Sequence, residues 1–408
     1  MKVLVVGSGG REHALAWKLG QSPLLEELHC APGNPGMASL GDCHPVRAED
    51  GEGLLALARE LHIDLVVVGP EVPLVNGLAD QLRYGGISVF GPSRDAALIE
   101  GSKTFAKEVM ASAGVRATPT MPVARPPCVV KVDGLAAGKG SFVCRTQDEL
   151  DRALESAARF DQPLVIEELV EAQEVSVFAL CDGQNAVPLP AAQDYKRLGD
   201  ADAGPNTGGM GCYSPFPGVS DRVGELVERV HRPVLAELAR RGSPFVGVLY
   251  AGVFLTDGDP MVFEFNCRFG DPEAQVILPR IEGDLLPTLS AAAAGDLGNA
   301  AVGETDNAAV TVVVAAGSYP EHGDTGTSIH GVAEAEALGA LVFHAGTALR
   351  DNRLVTNGGR IVDVTGIGDS IADARALAYA AVERISFEGC RYRTDIALAA
   401  AQEEARVG

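Results

Sequence analysis

Residues 130–140 read Val130-Lys131-Val132-Asp133-Gly134-Leu135-Ala136-Ala137-Gly138-Lys139-Gly140. Pro127 to Val132 has the apolar run of a strand, Gly134 to Gly140 is a glycine-rich loop, and Ser141 to Arg145 returns as a second strand. Lys131 lies on the first strand and Lys139 in the turn beyond it, so two cations approach one site. The segment is not a Walker A loop, because Gly138-Lys139-Gly140-Ser141 has neither the GxxxxGK[ST] spacing nor the following helix. A lysine on a central strand must be edge-directed or paired, or else serve an anion. Lys103 can add another charge, at the start of a helix from Lys103 to Ser112 that Ser102 caps.

Downstream, Thr146-Gln147-Asp148-Glu149 is a capping box opening a helix, and 164–167 and 174–181 are further apolar strands. This small sheet-and-helix unit can move as a lid. Within it, Ile166-Glu167-Glu168-Leu169-Val170 leads to Glu174. Backbone groups from Glu167 to Leu169 can meet the edge of an adenine, and Glu174 can accept from ribose hydroxyls; taken alone, the acidic run reads as surface. Asp194-Tyr195-Lys196-Arg197 and Asn206-Thr207-Gly208-Gly209-Met210-Gly211 then flank a loop whose amide, hydroxyl and charged groups suit a small polar substrate. Either segment by itself reads equally well as a solvated turn.

After a helix near 220–240, two strands flank the turn Asp257-Gly258-Asp259. The second runs into Glu264-Phe265-Asn266-Cys267-Arg268-Phe269-Gly270-Asp271-Pro272-Glu273. On a period of two, Glu264, Asn266 and Arg268 share a face while Phe263, Phe265 and Cys267 point into a core. Oxygen ligands suit magnesium and a guanidinium suits phosphate. The bland alternative is a solvated face with a local Glu-Arg pair.

Upstream, Val3 to Val6, Gly7-Ser8-Gly9-Gly10 and a helical stretch from Glu12 to Leu19 make strand, glycine turn and helix. Glu12 stands where the dinucleotide fingerprint requires its third glycine, which weakens the rival reading of an NAD-dependent oxidoreductase. The backbone N–H groups of this turn can still take a phosphate. His13 reads equally as a structural or a pocket histidine. Strands at Leu65 to Val68 and Ser88 to Phe90 alternate with helices near Gly53 to Leu61 and Val75 to Leu82. Residues 1–101 therefore form an α/β domain with a parallel sheet, and Gly7 to His13 and Gly69-Pro70-Glu71 should face one pocket beyond its strand ends. The tail, 301–408, holds strands at 310–315, 341–345, 353–356 and 361–364 and a helix opening near Ser370. It reads as a separate mixed domain without a dense ionisable cluster, suited to packing and partial closure of a cleft.

With 408 residues and 46% hydrophobic content the chain can bury more than one core. A formal charge of -22 argues against a surface that coats nucleic acid or an anionic membrane. The 8 cysteines, at 30, 43, 128, 144, 181, 212, 267 and 390, show no CxxC pairing or zinc spacing and suit a reducing, cytoplasmic setting. No segment has the apolar continuity of a membrane span, and the start reads as a first strand instead of a cleavable signal. No G-x-S-x-G elbow or other covalent-nucleophile signature is present.

Over essentially its whole length the chain resembles the phosphoribosylamine-glycine ligases of the ATP-grasp superfamily. Gly7 to His13, Gly69-Pro70-Glu71, Lys131 to Gly140, Asn206 to Gly211 and Glu264 to Glu273 carry the resemblance. It implies a multidomain ATP-grasp architecture, α/β with α+β parts: an N-terminal parallel-sheet domain (1–101) contributing the phosphoribosylamine pocket, an ATP-grasp region (102–300) with a mobile lid over approximately 120–187 and a catalytic part over 188–300, and a C-terminal mixed domain (301–408). The activity implied is ATP-dependent ligation of glycine to 5-phosphoribosylamine, forming glycinamide ribonucleotide in purine biosynthesis; another ATP-grasp carboxylate-amine ligase or carboxylase is the alternative. By the same resemblance ATP meets Lys103, Lys131, Lys139, Glu167, Leu169 and Glu174, and Mg2+ or Mn2+ is held by Glu264 and Asn266. Lys139, Arg268 and Asn206 serve catalysis. Substrate contacts fall to Gly9, Gly10, Arg11, Glu12, Glu71, Asp194, Lys196, Gly208, Gly209, Met210 and Asp271. A monomer is expected, in weak contact at most with neighbouring purine-pathway enzymes, without nucleic acid or membrane partners. Two departures stand out: family members usually carry a longer stretch where Phe160-Asp161-Gln162 passes directly to Pro163, and Tyr195 stands where a related motif commonly has histidine.

Overall fold

The computed structural model describes residues 1–136, 138–256, 259–298 and 300–407. The expected turn at Asp257-Gly258 lies outside them, as does Ala137 of the glycine loop. The first domain is a five-stranded sheet in the order Asp42–Cys43, Glu27–Pro32, Lys2–Gly7, Leu65–Val68, Val89–Phe90, with every pair parallel. Strict alternation feeds two cores from its central strands. Leu4, Val6, Val66 and Val68 pack on one face, and Val3, Val5, Leu65 and Val67 on the other. The helix expected over Val75 to Leu82 is two shorter ones, Glu71–Val75 and Leu78–Tyr84, broken at Asn76-Gly77. Glu71 consequently opens a helix beside the strand ends.

A second, antiparallel sheet of eight strands runs Met261–Asn266, Val246–Leu255, Gln173–Asp182, Ala186–Asp194, Gly211–Ser214, Ala308–Ala315, Arg360–Gly368, Leu341–His344. The segment expected to form a separate C-terminal domain thus shares a ladder with the centre of the chain: Gly211–Ser214 pairs in register with Val312–Ala309. Local periodicity shows a strand but not its neighbour across a hundred residues.

The lid is smaller than the expected 120–187. Ser141–Cys144, Cys128–Val132 and Leu164–Glu168 form a three-stranded sheet covered by the helix Gln147–Ala157, whereas Gln173–Asp182 lies inside the large sheet. The lid has its own small core of Cys128, Val130, Val132, Cys144, Leu150, Ala153 and Ala157. Thr146 and Glu149 form the capping box that starts its helix. Despite the short connection after Phe160, Leu164–Glu168 pairs with Val132–Cys128 along its full length.

In the edge strand Met261–Asn266 the pairing shifts between Gly252↔Glu264 and Val253↔Val262, so Phe263 is an extra, bulged residue. The bulge turns Phe263 out of the core, contrary to the simple alternation, while Phe265 and Cys267 are buried as expected. Among the described residues, no helix is long and apolar enough to cross a membrane.

Candidate active site

A cavity of about 920 Å³ opens between the lid and the large sheet. At its lid end Glu167 is buried between two ammonium groups, Lys131 and Lys107, each at 2.7 Å. Burial works to raise the Glu167 carboxyl, but the two lysines outweigh it and hold the group below its ordinary value. Lys131 also donates to Phe263 O at 2.8 Å, and its charge lies 5.8 Å from the bulged Phe263 ring. The central-strand lysine is therefore paired and also lines the cavity. Lys107 is one helical turn beyond Lys103, a spacing that a reading of this helix face could have used. Leu169 and Glu174 line the same end, with Glu174 3.2 Å from Lys196.

Toward the middle, Lys103 Nζ donates to Gly134 O at 3.0 Å. Burial lowers its ammonium pKa, against the pull of Glu264. Asp133, at the foot of the glycine loop, accepts from Lys103 N at 2.6 Å and so caps the earlier helix Lys103–Ala113 jointly with Ser102. Lys139 is exposed and stands outside the cavity lining, contrary to the catalytic position expected of it.

Glu264 and Asn266 both line the cavity, and among the described residues neither side chain has a hydrogen-bond or ion-pair partner. The described residues contain no cluster of three His, Cys, Asp or Glu side chains able to hold a metal alone. A carboxylate and a carboxamide oxygen on one strand face fit a hard divalent cation that keeps water and substrate phosphates as its other ligands. Arg268, expected to face phosphate, lines the cavity and is also clasped by Glu71 at 3.2 Å and Glu100 at 3.1 Å. Burial would raise Glu71, but Arg268 and then Arg11 bring its carboxyl to about 2.

The N-terminal turn departs from expectation. Glu12 folds back to accept from Gly9 N at 2.6 Å and pairs with Arg11 at 2.6 Å. Its carboxylate occupies the helix N-terminus where a phosphate would sit, and any side chain at Gly69 would run into it. Arg11 lines the cavity; Gly9, Gly10 and Glu12 lie behind it. His13 proves structural: it is buried, its Nδ1 accepts from His344 N at 2.8 Å, and burial drives its pKa to about 3.

The substrate-like loop does face the cavity. Asp194, Lys196, Asn206 and Gly208 all line it, with Lys196 3.8 Å from Asp194 and 5.3 Å from the Phe263 ring centroid. Among the described residues, the buried Asp194 Oδ1 has no hydrogen-bond partner, and burial followed by the nearby Glu273 pushes this carboxyl well above its ordinary range. Gly209, at φ +110, and Met210 lie behind the lining and shape the loop; a side chain at Gly209 would strike Pro272. Arg360 was not foreseen. It donates to Gly208 O and Asp271 O, both at 2.7 Å, and pairs with the Asp271 carboxylate at 3.0 Å. Its sequence signal is slight: an arginine that opens the strand Arg360–Gly368 directly after Gly358-Gly359.

A nucleotide-sized cleft between an antiparallel sheet and a small α/β lid, with lysines on the lid side facing a carboxylate-carboxamide strand, defines an ATP-grasp enzyme. Models of phosphoribosylglycinamide synthetase match the chain in three consecutive pieces: the N domain over residues 1–100, the ATP-grasp (A) domain over 101–274 and the C domain over 309–399. The chain belongs to this family. A phosphoribosylamine-glycine ligase of Streptomyces coelicolor is 49% identical, covering 98% of this chain and 100% of that one; one of Brucella melitensis is 45% identical, covering 99% of each. The crystal structure of the phosphoribosylamine-glycine ligase from Thermotoga maritima matches with a TM-score of 0.83 at 34% identity, over 97% of this chain and 100% of that one. The biotin carboxylase domain of a Hydrogenobacter thermophilus 2-oxoglutarate carboxylase, at 17% identity and a TM-score of 0.69 over 96% of this chain and 91% of that one, shares the fold.

Proposed function

We propose that the protein ligates glycine to 5-phosphoribosylamine, using ATP and forming glycinamide ribonucleotide, ADP and phosphate. The observation that carries this reading is one cavity in which Lys103 and Lys131 face the Glu264–Asn266 strand while the loops at Asp194–Lys196 and Asn206–Gly208 close the other side. The glycine carboxylate attacks the γ-phosphorus, giving glycyl phosphate and ADP. The phosphoribosylamine nitrogen then attacks the acyl carbon, phosphate leaves, and the nitrogen gives up a proton. The chain itself forms no covalent bond to substrate, so its contribution is orientation and charge.

In this scheme backbone groups from Glu167 to Leu169 hold the adenine, Glu174 the ribose, and Lys103 and Lys131 the phosphates. Asp194, whose buried Oδ1 has no partner among the described residues, and Lys196 take the two charged ends of glycine; Arg11, Glu71 and Asp271 face phosphoribosylamine. Arg268 fixes Glu71 and Glu100 in place. A divalent cation, Mg2+ or Mn2+, held by Glu264 and Asn266 would neutralise phosphate charge. The eight free thiols support a cytoplasmic location. The test is an ADP and product assay with each substrate omitted in turn: ADP should require both glycine and phosphoribosylamine and match product one to one. ADP formed with another acid or amine in their place would move the protein to a different ATP-grasp reaction.

A further inference from the structure

The strand Ala186–Asp194 leads directly into Tyr195 and Lys196; Asp194 and Lys196 line the cavity, and Tyr195 between them stands outside its lining. There Tyr195 meets the end of the chain. Its hydroxyl accepts from Ala397 N at 3.0 Å, and the Arg393 guanidinium lies 4.9 Å from its ring centroid. Arg393 is only 1% exposed; it is held by Asp395 at 2.7 Å and Asp202 at 2.8 Å and donates to Arg197 O at 3.1 Å. Desolvating a guanidinium is costly unless it is compensated, and here two carboxylates and a ring face compensate it. Tyr195 is fixed through its backbone as well: its N–H donates to Gly211 O at 2.9 Å and its carbonyl accepts from Met210 N at 2.8 Å.

We infer that Tyr195 and Arg393 are positioning residues for glycine recognition: the C-terminal segment 393–397 clamps Tyr195 from behind and so sets the placement of Asp194 and Lys196. The inference rests on the ligase reading above. Its physical basis is leverage, since neither Asp194 nor Lys196 can keep its place if the residue between them shifts. Misplacement of a substrate-binding group by about 1 Å can cost as much as 100-fold in rate.

The test is steady-state kinetics on full-length Tyr195→Leu, Tyr195→Phe and Arg393→Lys, with melting temperatures measured alongside. Tyr195→Leu should raise KM for glycine about tenfold with KM for ATP within about twofold of wild type, and Tyr195→Phe, which keeps the ring under Arg393, should recover most of that loss. Arg393→Lys keeps the charge but loses the fork, and should shift KM for glycine in the same direction. A loss of stability alone would lower the amount of active enzyme without separating the two KM values. The inference is overturned if the folded variants keep the wild-type KM for glycine, or if both KM values rise together. If Tyr195→Leu does not fold, the other two variants decide the matter by the same criterion. Wild-type protein that forms no glycine-dependent ADP would overturn the ligase reading, and the inference with it.

Discussion

Two glycine-rich turns follow apolar strands in this chain, and they end in opposite states. At Gly7-Ser8-Gly9-Gly10 the nearby acid, Glu12, bends back onto its own helix and fills the turn, bonding Gly9 N at 2.6 Å. At Gly134 to Gly140 the nearby acid, Asp133, leans away and caps the helix Lys103–Ala113, accepting from Lys103 N at 2.6 Å and Thr104 N at 3.2 Å. Both acids satisfy helix N–H groups. The difference is whose helix: Glu12 closes its turn to anions, whereas Asp133 leaves its loop open over a cavity lined by Lys103 and Lys131. Glycine spacing supplies room, and the destination of the neighbouring carboxylate decides whether that room stays available.

The largest expected effect lies across from the open turn. Glu264→Gln should lower turnover by about 100-fold or more; unchanged activity at limiting magnesium would remove Glu264 from the metal face. Lys131→Met would leave the buried Glu167 with one ammonium partner in place of two, costing about 3 kcal/mol. Denaturant unfolding should register that loss and nucleotide titration a weaker affinity, whereas normal nucleotide affinity in a destabilised variant would make Lys131 a strut only. On the closed side, Glu12→Ala strips the acceptor from Gly9 N and the nearest partner from Arg11, for about 1–3 kcal/mol. Inorganic phosphate should then recover part of the lost melting temperature by entering the vacated helix end; no response to phosphate would mean that Glu12 does not keep an anion out. Smallest is Lys139→Met, whose effect on stability should stay within about 0.5 kcal/mol because the side chain is exposed. A large drop in its turnover at unchanged stability would show that the loop carries Lys139 into the cavity during reaction.

The elements that rest on short-range chemistry were legible in the sequence: the strand-turn-helix at the N-terminus, the Thr146 capping box, Lys131 as a cavity-facing strand lysine, and Glu264 and Asn266 on one strand face. Three things were not. The bulge at Phe263 depends on the register of a partner strand, so alternation alone sent the ring to the wrong side. Glu12 reads as a break in the dinucleotide fingerprint, but that it satisfies Gly9 in phosphate's place requires the fold of its side chain. Arg360 reaches Gly208, 152 positions away, only because the tail strands join the large sheet, and no local pattern carries that pairing.

The shared ladder between Gly211–Ser214 and Ala308–Ala315 also governs what fragments of this chain could do. A polypeptide ending near residue 300 would present Gly211–Ser214 as a bare edge, with unpaired N–H and C=O groups ready to recruit another molecule. It would also lose Arg360 from its bonds to Gly208 and Asp271 in the cavity wall. Such a truncation is predisposed to self-association, so along this sheet the central and C-terminal segments stand or fall together.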